Sequence, residues 1–119
     1  MRELRVCGAA LLLWAVSAHA ITPEGREFVA VLRELEPVQC EKRKLRWAIV
    51  LADAEKRSAE AKELRERFAA LNRDPRTAEL EKRLAQLEPR IRDGQGRVRD
   101  PEDLEAISGQ QRAAFYRCE

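Results

Sequence analysis

The chain has 119 residues, of which 37% are charged, 45% apolar and only 5% aromatic. That length allows one domain. The Ala, Glu, Leu, Arg and Lys bias belongs to long solvent-exposed helices and argues against a β-sandwich, which needs more β-branched and aromatic residues. A formal net charge of +2 is too balanced for a dedicated nucleic-acid binder.

Residues 1–20 read as an address. Arg2 and Arg5 make a basic start that Glu3 weakens, residues 6–16 are an apolar run of eleven, and Ala18-His19-Ala20 puts small residues at the −3 and −1 positions of a cut. This is the layout of a cleavable secretory signal peptide. The run is too short to anchor the chain, because a membrane span needs about 20 apolar residues. Cleavage after Ala20 leaves residues 21–119 as a single helical domain. It also removes Cys7 and His19, so that only Cys40 and Cys118 remain. Two cysteines in a small exported domain predict one disulfide. Arg outnumbers Lys 18 to 5, and Ala is as frequent as Arg; this bias suggests a GC-rich bacterial genome and hence export to the periplasm.

Four helical segments follow. Thr22-Pro23 opens the first as cap and first-turn proline, with Phe28, Val31, Leu32 and Leu35 on one face and Pro37 expected to end or kink it. The second runs over about residues 38–71, without Gly or Pro inside. It carries two apolar stripes, one of Leu45, Ala48, Ile49 and Ala52, the other of Trp47, Val50 and Ala54. Past Glu55 only one stripe continues, Ala61, Leu64, Phe68 and Leu71, on the Trp47 side. Residues 72–75 form a turn with Asp74 as the next cap. The third segment, residues 75–92, has Leu80, Leu84, Leu87 and Ile91 at coiled-coil spacing, with Pro89 in its last turn. A glycine-bearing break at residues 93–96 precedes the fourth segment, which starts at Asp100-Pro101 and presents Leu104, Ile107, Gln111, Ala114, Phe115 and Cys118 on one face.

These segments predict an all-α fold. Its core is a long antiparallel helical hairpin of about residues 38–92, with a short N-terminal helix and a C-terminal helix packed at its base, tied by Cys40–Cys118. Cys118 comes level with Cys40 if the third and fourth helices lie end to end along one side of the second. The lower half is then a three-helix layer and the upper half a bare two-helix arm of residues 55–87.

The chemistry is sparse. Beyond Ala20 there is no histidine, and the hydroxyl side chains are Thr22, Ser58, Thr77, Ser108 and Tyr116. With no His and both cysteines paired, Ser-His and Cys-His nucleophile pairs are excluded, as are His/Cys metal sites. The carboxylates have basic neighbours and no calcium-loop spacing. No catalytic residue, cofactor or metal is therefore expected, and the chain is not an enzyme by this reading. Arg90, Arg92, Arg97 and Arg99 cluster around the glycine loop without interleaved aromatics, so single-stranded nucleic acid is disfavoured.

The leading expectation is an exported envelope protein acting by helix-mediated protein binding or self-association. Its contact residues would be Phe68 in the arm and Arg73 and Arg76 at the arm's far end, with two such arms able to make a four-helix bundle. One alternative is an inhibitor or immunity-type protein that blocks an exported enzyme, using residues 93–100 with Arg97 and Arg99 as a wedge. Another is a chaperone-like or membrane-surface protein, the membrane being the less favoured partner. The chain resembles small helical periplasmic chaperones in length and helix content alone. Their Leu-Thr-x-x-Gln motif is absent, and architecture does not transfer function.

Overall fold

A computed structural model describes residues 20–119; the readings of Ala18 and of the apolar run fall on residues 1–19, outside them. The described chain is all-α, with α1 Pro23–Ala54, α2 Ser58–Arg73, α3 Pro75–Ile91 and α4 Pro101–Arg117. α1 packs with each of the other three. The antiparallel hairpin and the C-terminal helix at a disulfide-tied base are present as the sequence predicts, but the chain is divided differently within them.

Pro37 does not end the first helix. α1 runs through it for 32 residues, about 48 Å at 1.5 Å per residue. A proline in a helix interior removes one backbone bond and costs about 3 kcal/mol. Packing on both sides of Pro37 offsets that cost: Leu35 is buried two residues before it, and Cys40 is tied to Cys118 three residues after it.

The second predicted segment is broken at residues 55–57. Lys56 adopts a left-handed φ of 57°. The Lys56 N–H donates to the Asp53 carbonyl at 3.1 Å, and the Arg57 N–H to the Ala52 carbonyl at 2.8 Å. This pair of bonds is a Schellman termination, with lysine where glycine is usual. The tip of the hairpin is therefore at residues 55–57, not at residues 72–75. At the latter place α2 and α3 are separated by Asp74 alone, whose side chain accepts from the Thr77 N–H and caps α3.

After the reversal, α2 and α3 lie end to end and antiparallel along α1. Arg65 pairs with Asp53 and Arg67 with Glu41 from α2; Arg76 pairs with Glu34 and Arg83 with Glu27 from α3. It is thus α2 and α3, not α3 and α4, that share one side of the long helix. α4 runs parallel to α1 on another side, from Thr22–Asp103 at one end to Cys40–Cys118 at the other. The three-helix lower half is α1, α3 and α4. The arm is the upper half of α1 with α2, so the expected arm of residues 55–87 does not form.

The core lies in the base. Phe28, Val29, Leu87, Ile91 and Ile107 form one buried cluster, and Val31, Leu35 and Leu80 a second, joined through Leu84. A polar clamp closes its lower end. Asp103 is 2% exposed; its carboxylate accepts from the Thr22 N–H at 2.9 Å and the Thr22 hydroxyl at 2.5 Å. The same hydroxyl accepts from the Gly25 N–H and caps α1. One carboxylate therefore sits at the positive N-terminal ends of both α1 and α4, where helix dipoles favour negative charge. Any Cβ at position 25 would collide with it.

Two substitutions test this account by thermal melting. Lys56→Gly removes the left-handed penalty and should stabilise the chain by about 1 kcal/mol, raising the melting midpoint by roughly 4–8 °C. Gly25→Ala should destabilise it by about 1–3 kcal/mol, because the Asp103 carboxylate it would strike is buried and bonded through both oxygens to Thr22.

Candidate docking face

The reversal at Lys56 sends α2 down the Leu45 and Ala52 side of α1, where both residues are buried. On the opposite side α4 covers α1 from Thr22 to Cys40 and then ends. Above that level the same face of α1 has no neighbour among the described residues. Trp47, Val50 and Leu51 stand 72%, 59% and 53% exposed, and Ala54 completes a shallow apolar surface of about 280 Å³ with them. At about 100° per residue these four positions fall on one face, roughly opposite Leu45 and Ala52.

Charge borders this face asymmetrically. Arg43, Lys44 and Arg46 lie at its lower end, with Asp53 and Glu55 at its upper end. Arg43 donates to the Phe115 carbonyl at 3.0 Å and lies 4.4 Å from that ring's centroid. Phe115 packs edge-on against Tyr116 at 5.5 Å. Both rings are exposed, so an aromatic shelf marks the lower border of the face. A crevice of about 310 Å³ lies beneath the shelf, lined among others by Leu32, Cys40, Gln110, Ala114 and Cys118.

Residues expected from the sequence to bind a partner fall elsewhere. Phe68 is half-buried beneath two cations, with Lys42 Nζ 5.9 Å and the Arg46 guanidinium 5.8 Å from its centroid. Lys42 itself is buried and pairs with Glu81 at 3.0 Å, just below the handover from α2 to α3. Arg73 and Arg76 are exposed but sit beside that handover, not at the far end of the arm; Arg76 bonds Glu34 at 2.6 Å. Residues 93–99 form a tight turn in which the Asp93 carboxylate accepts from the Gln95 and Arg97 N–H groups. Gly96 supplies the positive φ of 77° that this turn requires. Arg97 is turned back onto Gln95 and Asp93, while Arg99 is exposed. The Trp47 stripe was legible in the sequence, but an unbroken helix over residues 38–71 assigned it a partner it does not have. The only local sign of the break is the charged run at residues 55–57.

The carboxylates with lowered pKa belong to the base. The Arg117 guanidinium bonded to Glu36 holds it below the ordinary carboxylate value, and Arg83 does the same for Glu27. The backbone N–H groups of Arg97 and Gln95 lower Asp93. Among the described residues, no group of three or more His, Cys, Asp or Glu is arranged to hold a metal ion, and no helix is long and apolar enough to cross a membrane. Comparison with protein-family models, curated proteins and solved structures finds no match to this chain.

Two outcomes are expected for the base. Because folding depresses the pKa of Glu36, Glu27 and Asp93, their stabilisation is complete above the unfolded carboxylate range and is lost as pH falls through the lower folded values. The melting midpoint should therefore hold steady from neutral pH down to about pH 5 and fall below about pH 4, with Glu36→Gln flattening part of the fall. Reducing Cys40–Cys118, which are 78 residues apart, should cost about 4–5 kcal/mol in the chain-entropy model, measured by denaturant unfolding with and without reductant.

Proposed function

We propose that the chain is an exported, non-enzymatic helical protein that docks a protein partner through the bare face of its arm. The observation that carries this reading is Trp47, 72% exposed beside Val50 and Leu51 on a face that no other element among the described residues covers. Scattered exposed apolar residues are ordinary, but a contiguous set that includes a large aromatic marks an interaction surface. Trp is also the residue type most enriched among energetic anchors of interfaces. The signal-peptide layout of residues 1–20 and the Cys40–Cys118 bridge support an oxidising compartment, the periplasm.

In exported protein, a photoreactive side chain at position 47 or 51 is expected to give a discrete cross-linked product identifiable by mass spectrometry. The same side chain at the exposed Lys62 of α2 should not give it, and Leu51→Glu should abolish the product formed from position 47. Absence of any product from positions 47 and 51 would refute the docking reading.

A further inference from the structure

We propose that the Cys40–Cys118 disulfide is a redox latch: reduction by a dithiol frees residues 108–118 from α1 while the rest of the base stays folded. This is independent of the docking reading above. The two halves of α4 are held by different forces. The lower half carries the Asp100 cap, the Asp103 clamp on Thr22, and Ile107, which is 2% exposed in the apolar core. Among the described residues of α4, Ile107 is the last buried apolar side chain. Gly109 follows it, and a glycine in a helix interior weakens the helix at that point.

Above Gly109 the hydrogen bonds and ion pairs from α4 to α1 are polar contacts near the surface. The Gln110 side chain, itself buried, accepts from Arg33 at 3.2 Å and donates to Glu36 at 3.1 Å. Arg117 pairs with Glu36 at 2.7 Å, and the Phe115 carbonyl accepts from Arg43 at 3.0 Å. Exposed pairs of this kind contribute little, and water replaces these bonds when the segment lifts away. Packing beneath it is also incomplete. The crevice of about 310 Å³ is lined by Leu32 of α1 and Leu84 of α3, and by Ala114 and Phe115 of α4. A segment with few buried apolar contacts and unfilled space beneath it opens at low cost. The covalent bond at Cys118 is what holds it down.

The bridge is also within reach of a reductant. Cys40 and Cys118 are half-buried and line two open crevices, the one of about 310 Å³ and a second of about 230 Å³. Arg43 lines the first, Arg33 and Arg117 the second, and Glu36, paired with Arg117, lines both. Neighbouring guanidinium groups stabilise a leaving thiolate and so favour exchange. One thiolate of the dithiol attacks the Cys118 sulfur, the S–S bond breaks, and Cys40 leaves as a thiolate one turn before Arg43. The second thiolate of the dithiol then attacks the mixed disulfide and expels Cys118. Two electrons and two protons pass to the chain, which gains two thiols, and the dithiol leaves as its own disulfide. Residues 108–118 then lift away about Gly109 and uncover Leu32 and Leu84.

Hydrogen exchange of the oxidised exported protein and of the same protein treated with dithiothreitol, read by mass spectrometry with thiols counted in parallel, tests the latch. Two new thiols per chain should appear in native buffer without denaturant. Exchange of the backbone amides of residues 110–117 should then rise by about tenfold or more. α1, α3 and the first turns of α4 up to Ile107 should keep their protection, and reoxidation should restore that of residues 110–117. A bridge that resists dithiothreitol in native buffer overturns the proposal. So does unchanged protection of residues 110–117 in the reduced chain, or loss of protection along the whole base at once.

Discussion

The left-handed turn at Lys56 governs this structure. Its two backbone bonds close α1 and reverse the chain within residues 55–57, and the direction of that reversal decides which face of α1 each later segment can reach. α2 is returned along Leu45 and Ala52, α3 follows it past Asp74, and α4 is left to pack on another side. Without that termination, residues 38–71 would continue as one helix. Trp47, Leu64 and Phe68 would then share a stripe, and the Leu45 stripe would need a different partner. A lysine at a position where glycine is favoured stores about a kcal/mol of backbone cost. The burial of Leu45, Ala52 and Ala61 between the two helices is the compensation the fold provides.

Stability is distributed unevenly along α1. Below Cys40 the helix is covered by α3 and α4, contributes Phe28, Val29, Val31 and Leu35 to the buried apolar clusters, and is fastened at both ends of α4, by Asp103 against Thr22 and by the disulfide. These fastenings also explain why Pro37 is tolerated, since they hold the helix on either side of its missing bond. Above Cys40 a single neighbour remains among the described residues, and their fully buried side chains are few and small. Pairs such as Arg65–Asp53 and Arg67–Glu41 are exposed and contribute little. A thin two-helix element of this kind occupies the low end of the local stability range, and it gains most from a further packing partner.

The proposed binding surface follows from the same asymmetry. α4 is 17 residues and α1 is 32, so one face of α1 outlasts its cover by about one arm's length. The exposed apolar residues Trp47, Val50 and Leu51 fall in that uncovered stretch, and Phe115 and Tyr116 mark where the cover stops. Surface position and residue type thus agree, whereas Phe68, chosen from the sequence as a contact, is engaged beneath Lys42 and Arg46 within its own chain.

Local chemistry alone determined much of this protein. The helical class, the Thr22, Asp74 and Asp100 caps, the break after α3 and the two stripes on either side of α1 are properties of short segments, and periodicity and capping rules read them directly. The pairing of Cys40 with Cys118 was also legible, because the cleavage expected after Ala20 would leave no other cysteine. Tertiary structure decided where the long apolar pattern folds back on itself. A Schellman turn made by lysine carries no Gly or Pro signal, and its cost is recovered only through contacts between segments brought together by the turn itself. Pro37 is the converse case: its local signal says stop, yet packing and a disulfide from residues about 80 positions away carry the helix through. Because both decisions depend on energies gained at long range, the sequence identified the Trp47 stripe, but only the folded chain determined that this stripe would be left uncovered.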